Sequence, residues 1–296
     1  MIEFKQKKVI PSPINCIYRK EINSGNFHYT VIHYLFTDIL LGCTSELSNE
    51  NLFEIEYQVK KLYEFFKALN TLSGNFFRSL KPVRIKKGII WKLCKKFRIN
   101  PKLIWKLLFY SKKAGIGPMA GIAGLYAQYT GYITGKYYPD SEIIIENGGD
   151  CYLKIKNPAN ILIHSPGTKY GNKLVLSIDP AAFPRKNKKT GFLEMGISSS
   201  SGTLGHSMNF GFSDIFCTGS CAPINADIKA TLYSNRIKNL QSLKNTVIQC
   251  SSDKKLLFAL GIYQNNCVFT DFDNGIKLTW INNENKEGTD ENYGTY

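Results

Sequence analysis

The sequence predicts an α+β fold in which mixed or antiparallel sheets pack with helices in a single compact domain. Three observations carry that reading. Strand and helix patterns cluster unevenly rather than alternating, which argues against a doubly wound parallel sheet. Asn147-Gly148-Gly149-Asp150 lies between two apolar runs and reads as a hairpin turn, as does Gln264-Asn265-Asn266 further on. With 296 residues, 43% of them hydrophobic, the chain has enough apolar material for one large domain or two small ones. The single-domain reading assigns residues 16–282 to it.

Taken in order, residues 1–15 read as an irregular lead-in, because Pro11 and Pro13 interrupt regular structure. Residues 27–34 are β-branched and aromatic and predict a strand, with 38–41 as its partner. His28 and His33 fall on opposite faces of that strand and share no ligand. A helix follows over 48–69. Ser48 or Asn49 caps it, Glu50, Glu54 and Glu56 suit its positive end, and Lys60, Lys61 and Lys67 suit the other. Its apolar stripe is Leu52, Ile55, Val59, Leu62, Phe66 and Leu69. Residues 74–88, with Pro82, connect it to helices over 89–97 and 101–113. Asn100 before Pro101 is a start signal: Asn accepts from free amides, and Pro needs none there.

Residues 115–124, GIGPMAGIAG, break that helix and start another near Pro118. Each glycine inside a helix costs about 1 kcal/mol relative to Ala, so close approach of a sheet or a flat ligand is expected as compensation. The free amides at such a helix start also suit a phosphate. Strands follow over 142–146, 151–155, 161–164, 173–178 and 192–197. A helix covers 223–235, a hairpin 256–263 and 267–272, and a last strand 276–280. Residues 283–296 are polar and acidic and predict a disordered tail.

The net charge is +15 (38 basic against 23 acidic residues) and it is unevenly placed. Residues 65–139 hold fifteen Lys and Arg and no Asp or Glu. Two readings stand: a surface for an anionic partner such as RNA, or lysines filling free surface positions. Aromatic spacing in the segment does not resemble a base-stacking platform. No apolar run reaches the ~18–20 residues of a membrane span, and no secretory leader is visible at the N-terminus, so a cytoplasmic protein is expected. The eight cysteines include no Cys-x-x-Cys pair and predict free buried thiols. Cys217, Cys221 and His206 are close in sequence, but no second ligand pair completes a metal site.

The chemistry concentrates in residues 196–236. Four serines and Gly202 open the stretch, Thr203, His206 and Ser207 follow, Asp214 precedes an apolar run, and ADIKAT (226–231) lies on the helix behind. A Ser/Gly-rich loop ahead of a helix bearing Asp227 and Thr231, four residues apart, suits a phosphate and its metal ion. It reads equally as a plain loop before an ordinary helix. A serine-hydrolase arrangement of Ser199 or Ser201 with His206 and Asp214 lacks the Gly-x-Ser-x-Gly elbow.

Three segments together resemble a known family: GIGPMAGIAG at 115–124, IIIENGGDCYLK at 143–154 and ISSSSGTLGHSMNFGFSD at 197–214, with ADIKAT behind them. Their order and spacing resemble an uncharacterised bacterial and archaeal family within the superfamily of ApbE, the FAD:protein FMN transferase. The resemblance covers residues 16–280. It implies an ApbE-like α+β fold and a site for FAD or a related phosphorylated nucleotide with Mg²⁺. It also implies a possible transfer of FMN to a Ser or Thr of an acceptor flavoprotein. By the same resemblance, Asp227 and Thr231 are the metal ligands. Gly117, Pro118, Met119, Gly148, Gly149, Asp150, Ser200, Ser201, Gly202 and Thr203 line the cofactor, and His206 activates the acceptor hydroxyl or bonds a phosphate. On a helix, positions i and i+4 share a face, so Asp227 and Thr231 can address one ion. The helix motif departs from its common form at Ile228, Lys229, Leu232 and Tyr233, and Lys229 is expected to compete for phosphate or crowd the ion. Exposed sheet edges make a homodimer the expected assembly if the chain assembles.

Overall fold

A computed structural model describes residues 26–280, apart from 36, 185, 186, 188, 204–208, 273 and 274. The predicted lead-in, the predicted tail and His206 lie outside the described residues.

Eleven strands and six α-helices are described. Strands β1 (His28–Tyr34) and β2 (Thr37–Cys43) form the expected first hairpin. Four helices follow: α1 (Asn49–Ser73), α2 (Lys87–Phe97), α3 (Pro101–Ala114) and α4 (Ile122–Tyr137). Both predicted caps are made. Ser48 accepts from the Asn51 amide and Asn100 from the Lys102 amide. Pro118–Gly121 is a tight 3-10 turn ahead of α4, so the helix begins one turn later than Pro118.

Strands β3 (Ile143–Asn147) and β4 (Asp150–Ile155) make the Asn-Gly-Gly-Asp hairpin. Next come β5 (Ala159–Ser165), β6 (Gly171–Ile178), β7 (Leu193–Ser200) and β8 (Ile215–Ser220). Helices α5 (Pro223–Ser234) and α6 (Leu240–Cys250) precede β9 (Leu256–Tyr263), β10 (Asn266–Asp271) and β11 (Ile276–Trp280).

Eight strands form one antiparallel sheet in the order β1-β2-β3-β4-β7-β8-β9-β10, and β11-β6-β5 form a second. Alternation along the strands sorts the two faces of the large sheet. Ile39, Leu41, Ile143, Ile145 and Tyr152 turn toward α1–α4. Leu153, Met195, Ile197, Cys217 and Leu260 turn the other way, onto Leu174, Leu176 and Ile276 of the small sheet. A third apolar cluster joins Phe216 and Ala259 to Leu243 and Val247 of α6. The layers are therefore helices, large sheet, small sheet. This is the predicted α+β class, with antiparallel pairing throughout.

Three local expectations are corrected. The serine run is not all loop: Ser198, Ser199 and Ser200 continue β7 and pair with Thr218, Cys217 and Phe216 of β8. Strand β8 and helix α6 had no counterpart in the prediction. The glycines ahead of and within α4 are explained by a helix rather than a sheet or a flat ligand. A Cβ at Gly121 would lie 2.6 Å from Ile228 Cγ1, and one at Gly124 would lie 2.6 Å from the Pro223 carbonyl, so these glycines let α4 and α5 cross closely. Sheet contact enters further along α4, closely at Gly131 against the Tyr152 ring and more loosely at Gly135, where a Cβ would lie 3.7 Å from Ile143 Cδ1.

Candidate functional site

The candidate site forms where the first turn of α4, the β3–β4 hairpin, the helix-facing side of β7 and one face of α5 meet. Strand parity places its parts. Tyr152 faces the helices, so Asp150 does too; Asp150 pairs directly with Ser198, and Ser200 lies two residues further along the same face. Helix α5 runs beside β7 in the same direction. Pro223 packs against Gly196 at one end, and Ser234 Oγ lies 3.5 Å from the Ser200 carbonyl at the other. Asp227 and Thr231 are on this α5 face, 8% and 5% exposed. From Asp227 to Ser234 is two helical turns, about 10 Å.

Asp227 is anchored at the positive end of α4. Its Oδ2 accepts the Gly124 amide at 2.8 Å, and the Ala123 amide also bonds the carboxylate. The amides expected to be free for a phosphate are therefore held by the chain's own carboxylate, 103 residues away in sequence. Burial nonetheless pushes the Asp227 carboxyl up to about 7, against the pull of those two amides. Asp150 is raised well above the usual carboxylate range, first by burial and then by Asp227, with Glu146 adding to the rise and the Ser198 hydroxyl opposing it. Among the described residues, Asp150 Oδ1 and Ser198 Oγ have no hydrogen-bond partner of ordinary geometry. Two buried carboxylates that repel each other are relieved by a shared proton or by a cation. The donor set is all oxygen, which suits a hard cation. No third His, Cys, Asp or Glu joins in a metal-type cluster among the described residues, so any further ligands would come from hydroxyls, water or a substrate.

The hairpin beside Asp150 is rigidly set. Gly148 and Gly149 have φ of +65° and +98°, which favour glycine, and the Gly149 amide donates to Glu146 Oε1 at 2.8 Å. Asn147 Nδ2 donates to the Ala123 carbonyl, tying the turn to the start of α4.

At the other end, Ser234 is a hub. It bonds the hydroxyl of Ser213 at 2.5 Å and the amide nitrogen of Asn209, which also donates to Ser200 Oγ at 2.9 Å. Ser200 is thus a buried structural hydroxyl as well as a wall of the site. Ser201 accepts from the Thr203 amide, and the Gly202 amide donates to the Ser213 carbonyl. These bonds hold the two flanks of residues 204–208 against the C-terminal turn of α5.

Other expected residues fall elsewhere. The Gly117 amide donates to the Leu80 carbonyl, and a Cβ there would collide with the Ser79 carbonyl; Pro118 is buried. The Gly117-Pro118-Met119 segment is a packed corner, so its sequence signature is explained without a ligand. Ser199 lies on the opposite face of the sheet from Asp227, paired with Cys217. Asp214 is engaged by Thr203 and by the Gln264 amide at 2.5 Å, so neither supports a hydrolase triad. Cys217 is buried and Cys221 exposed, and they do not converge. Lys229 does not crowd the site: its Nζ pairs with Asp253 at 2.6 Å, on the far side of α5. Asn147, Ser198, Asn209, Ser213 and Ser234 are the residues that sequence reasoning missed. Only the polar runs around 198–201 and 209–214 signalled some of them.

Comparison with known proteins supplies the family. The pattern of the family described as AbpE bacteria matches residues 30–256. A UPF0280 protein of Methanobrevibacter smithii is 29% identical over 218 residues, which is 73% of this chain and 81% of that protein. One from Methanospirillum hungatei is 34% identical over 123 residues, 42% of this chain and 46% of that protein, so the match spans less than half of that relative. Among solved structures, the chain is similar to the apo Pseudomonas stutzeri flavinyl transferase ApbE at 10% identity. That alignment covers 83% of this chain and 94% of that one, with a TM-score of 0.45. The Vibrio cholerae flavin transferase ApbE aligns at 11% identity over 86% and 96%, with a TM-score of 0.44. Because the family pattern runs from β1 through the start of β9 and takes in Asp150, Ser198, Asp227 and Thr231, the chain belongs to this ApbE-like AbpE bacteria family.

Proposed function

We propose that the chain binds FAD, or a closely related phosphorylated nucleotide, together with Mg²⁺, and that it transfers the FMN half to a Ser or Thr hydroxyl of an acceptor protein. One observation carries this reading: the buried Asp150–Asp227 pair, with an unbonded carboxylate oxygen and Thr231 one turn along. Asp227, Thr231 and Asp150 fit a hard cation by their chemistry. When bound, such an ion supplies charge neutralisation to the diphosphate.

In the proposed reaction the acceptor hydroxyl oxygen bonds the phosphorus of the FMN half. The bond from that phosphorus to the AMP oxygen breaks, and AMP leaves with the electron pair. His206 takes the hydroxyl proton. The Gly148–Gly149 turn lies against the flavin side, and the Ser201–Thr203 segment supplies hydroxyls and amides to phosphate oxygens.

The test is titration of FAD by calorimetry and visible absorbance with and without Mg²⁺, on the wild-type chain and Asp227→Asn. Saturable, Mg²⁺-dependent binding at tens of micromolar, lost in the variant, is expected. Absent binding leaves the carboxylate pair as a structural cap for α4 and overturns the proposal.

A further inference from the structure

The face of α5 turned away from Asp227 carries the opposite charge. At 100° per residue, Lys229 and Tyr233 lie on the side of the helix away from Asp227, Thr231 and Ser234, and Arg236 follows in the turn just after the helix. They wall a cavity of about 470 Å³, completed by Lys113 at the end of α3 and by Asp253, Lys254 and Lys255 ahead of β9. Five cations surround it against the single carboxylate of Asp253, a net of four positive charges.

Lys229, Arg236 and Lys255 are among those held in place by the protein. Lys229 pairs with Asp253 at 2.6 Å on the floor, where the two side chains are only 11% and 13% exposed. Burial raises the Asp253 carboxyl, but the bonds from Lys229 and the Lys255 amide outweigh it, and the carboxyl sits below its ordinary range. The Arg236 guanidinium lies 5.1 Å over the Tyr233 ring and donates to Gln249 at 2.8 Å. The Lys255 ammonium lies 4.9 Å over Tyr110 and 5.2 Å over Phe109 of α3. The rim residues Lys113, Arg236, Lys254 and Lys255 are exposed.

A concave site of this size is in the range of small-molecule pockets. Like charges fixed around one cavity repel one another, and an anion spanning several of them relieves the repulsion without a large ordering cost. A single carboxylate would meet too few of the cations. We propose that this cavity is a second ligand site, separate from the carboxylate pair, that binds a molecule with two or more clustered phosphate groups. The phosphates come from a free polyphosphorylated small molecule or from a nucleic-acid backbone. The proposal does not rest on the flavin reading, because the two sites lie on opposite faces of α5.

The experiment is calorimetric titration of inorganic tripolyphosphate into the full chain in EDTA, so that no divalent ion can carry it to Asp227. Saturable binding that weakens with added salt is expected. Lys113→Glu and Lys255→Glu should each lower the affinity at least about tenfold, with unchanged circular dichroism, while Asp227→Asn binds as the wild type does. Lys255→Gln, which deletes one charge without adding its opposite, keeps the test open if a reversal unfolds the chain. A single-stranded RNA 12-mer identifies the source. If it displaces tripolyphosphate and binds more tightly than a 4-mer, the phosphates belong to a backbone; if it fails to compete, they belong to a small molecule. Absence of saturable binding below about 1 mM overturns the proposal, a threshold corresponding to about 4 kcal/mol. Folded charge variants that bind normally, or binding that requires Mg²⁺ and vanishes in Asp227→Asn, overturn it too.

Discussion

Asp227→Asn should make the chain more stable above neutral pH when divalent ions are absent. A carboxyl that titrates near 7 instead of 3.8 has its ionised form disfavoured by about 4 kcal/mol. Between those two values the folded chain holds a proton that the unfolded chain has released. This group's contribution is therefore fully present below pH 3.8 and declines as pH rises through 7. Asparagine keeps an oxygen acceptor for the Gly124 amide but gives up the charge assistance of that bond, about 1 kcal/mol. The net gain at pH 8 is about 3 kcal/mol, or roughly 5–10 °C in Tm for a chain of this size. Thermal melts of both proteins from pH 4 to 8.5 in EDTA measure it as the difference between two curves, which cancels the groups that do not interact with Asp227; Asp150, whose carboxyl Asp227 raises, adds to the gain in the same direction. Adding Mg²⁺ at pH 8 should then raise the wild-type Tm and leave the variant's unchanged. A variant less stable than wild type at pH 8 in EDTA would refute the reasoning, since it would mean that the ionised carboxylate is already well compensated.

Two packing predictions follow from the same region. Gly131→Ala places a Cβ 2.1 Å from the Tyr152 ring, inside the α4–β4 contact, and should cost about 1–3 kcal/mol or more, read as a lower urea midpoint with unchanged slope. Ser234→Ala removes the hub that joins Asn209, Ser213 and Ser200 and should cost about 1–3 kcal/mol, with faster amide exchange at 209–213 and unaltered exchange in α1.

What could be read from the sequence was local. The Ser48 and Asn100 caps and the Asn147–Asp150 turn each depend on neighbours within a few residues, so their chemistry is written in place. Helix α6 was equally local and was overlooked: Asn239 and Ser242 form a reciprocal cap, and Leu243, Val247 and Cys250 make a buried stripe. Strand β8 was harder. Covered on both faces, Cys217-Thr218-Gly219-Ser220 shows no alternation, and Gly219 is required there because Phe258 lies 2.3 Å from where its Cβ would be. The serines of β7 looked like loop because strands are seldom so polar, yet Ser198 and Ser200 line a polar seam under α5. The capping of α4 by Asp227 had no local trace, since it joins residues 103 apart. The placement of Lys229 was available from helical periodicity alone, because two residues past Asp227 is just over half a turn away.

Serving as a cap does not disqualify Asp227 from the proposed cation site. A carboxylate offers about four lone-pair directions, and two amides use two of them. Capping in partly buried geometry contributes up to about 2 kcal/mol, yet with both amides already bonded the ionised form is still disfavoured by about 4 kcal/mol. The cap therefore orients the group without satisfying it, and its neighbour shares the deficit: Asp150 is raised first by burial and then by Asp227, and its Oδ1 has no hydrogen-bond partner of ordinary geometry among the described residues. A fold selected for stability alone would replace either residue with asparagine and recover most of that energy. The pair repels itself when both groups are ionised, and either a shared proton or the proposed cation relieves it; a Tm gain with Mg²⁺ at pH 8 that is absent in Asp227→Asn would favour the cation.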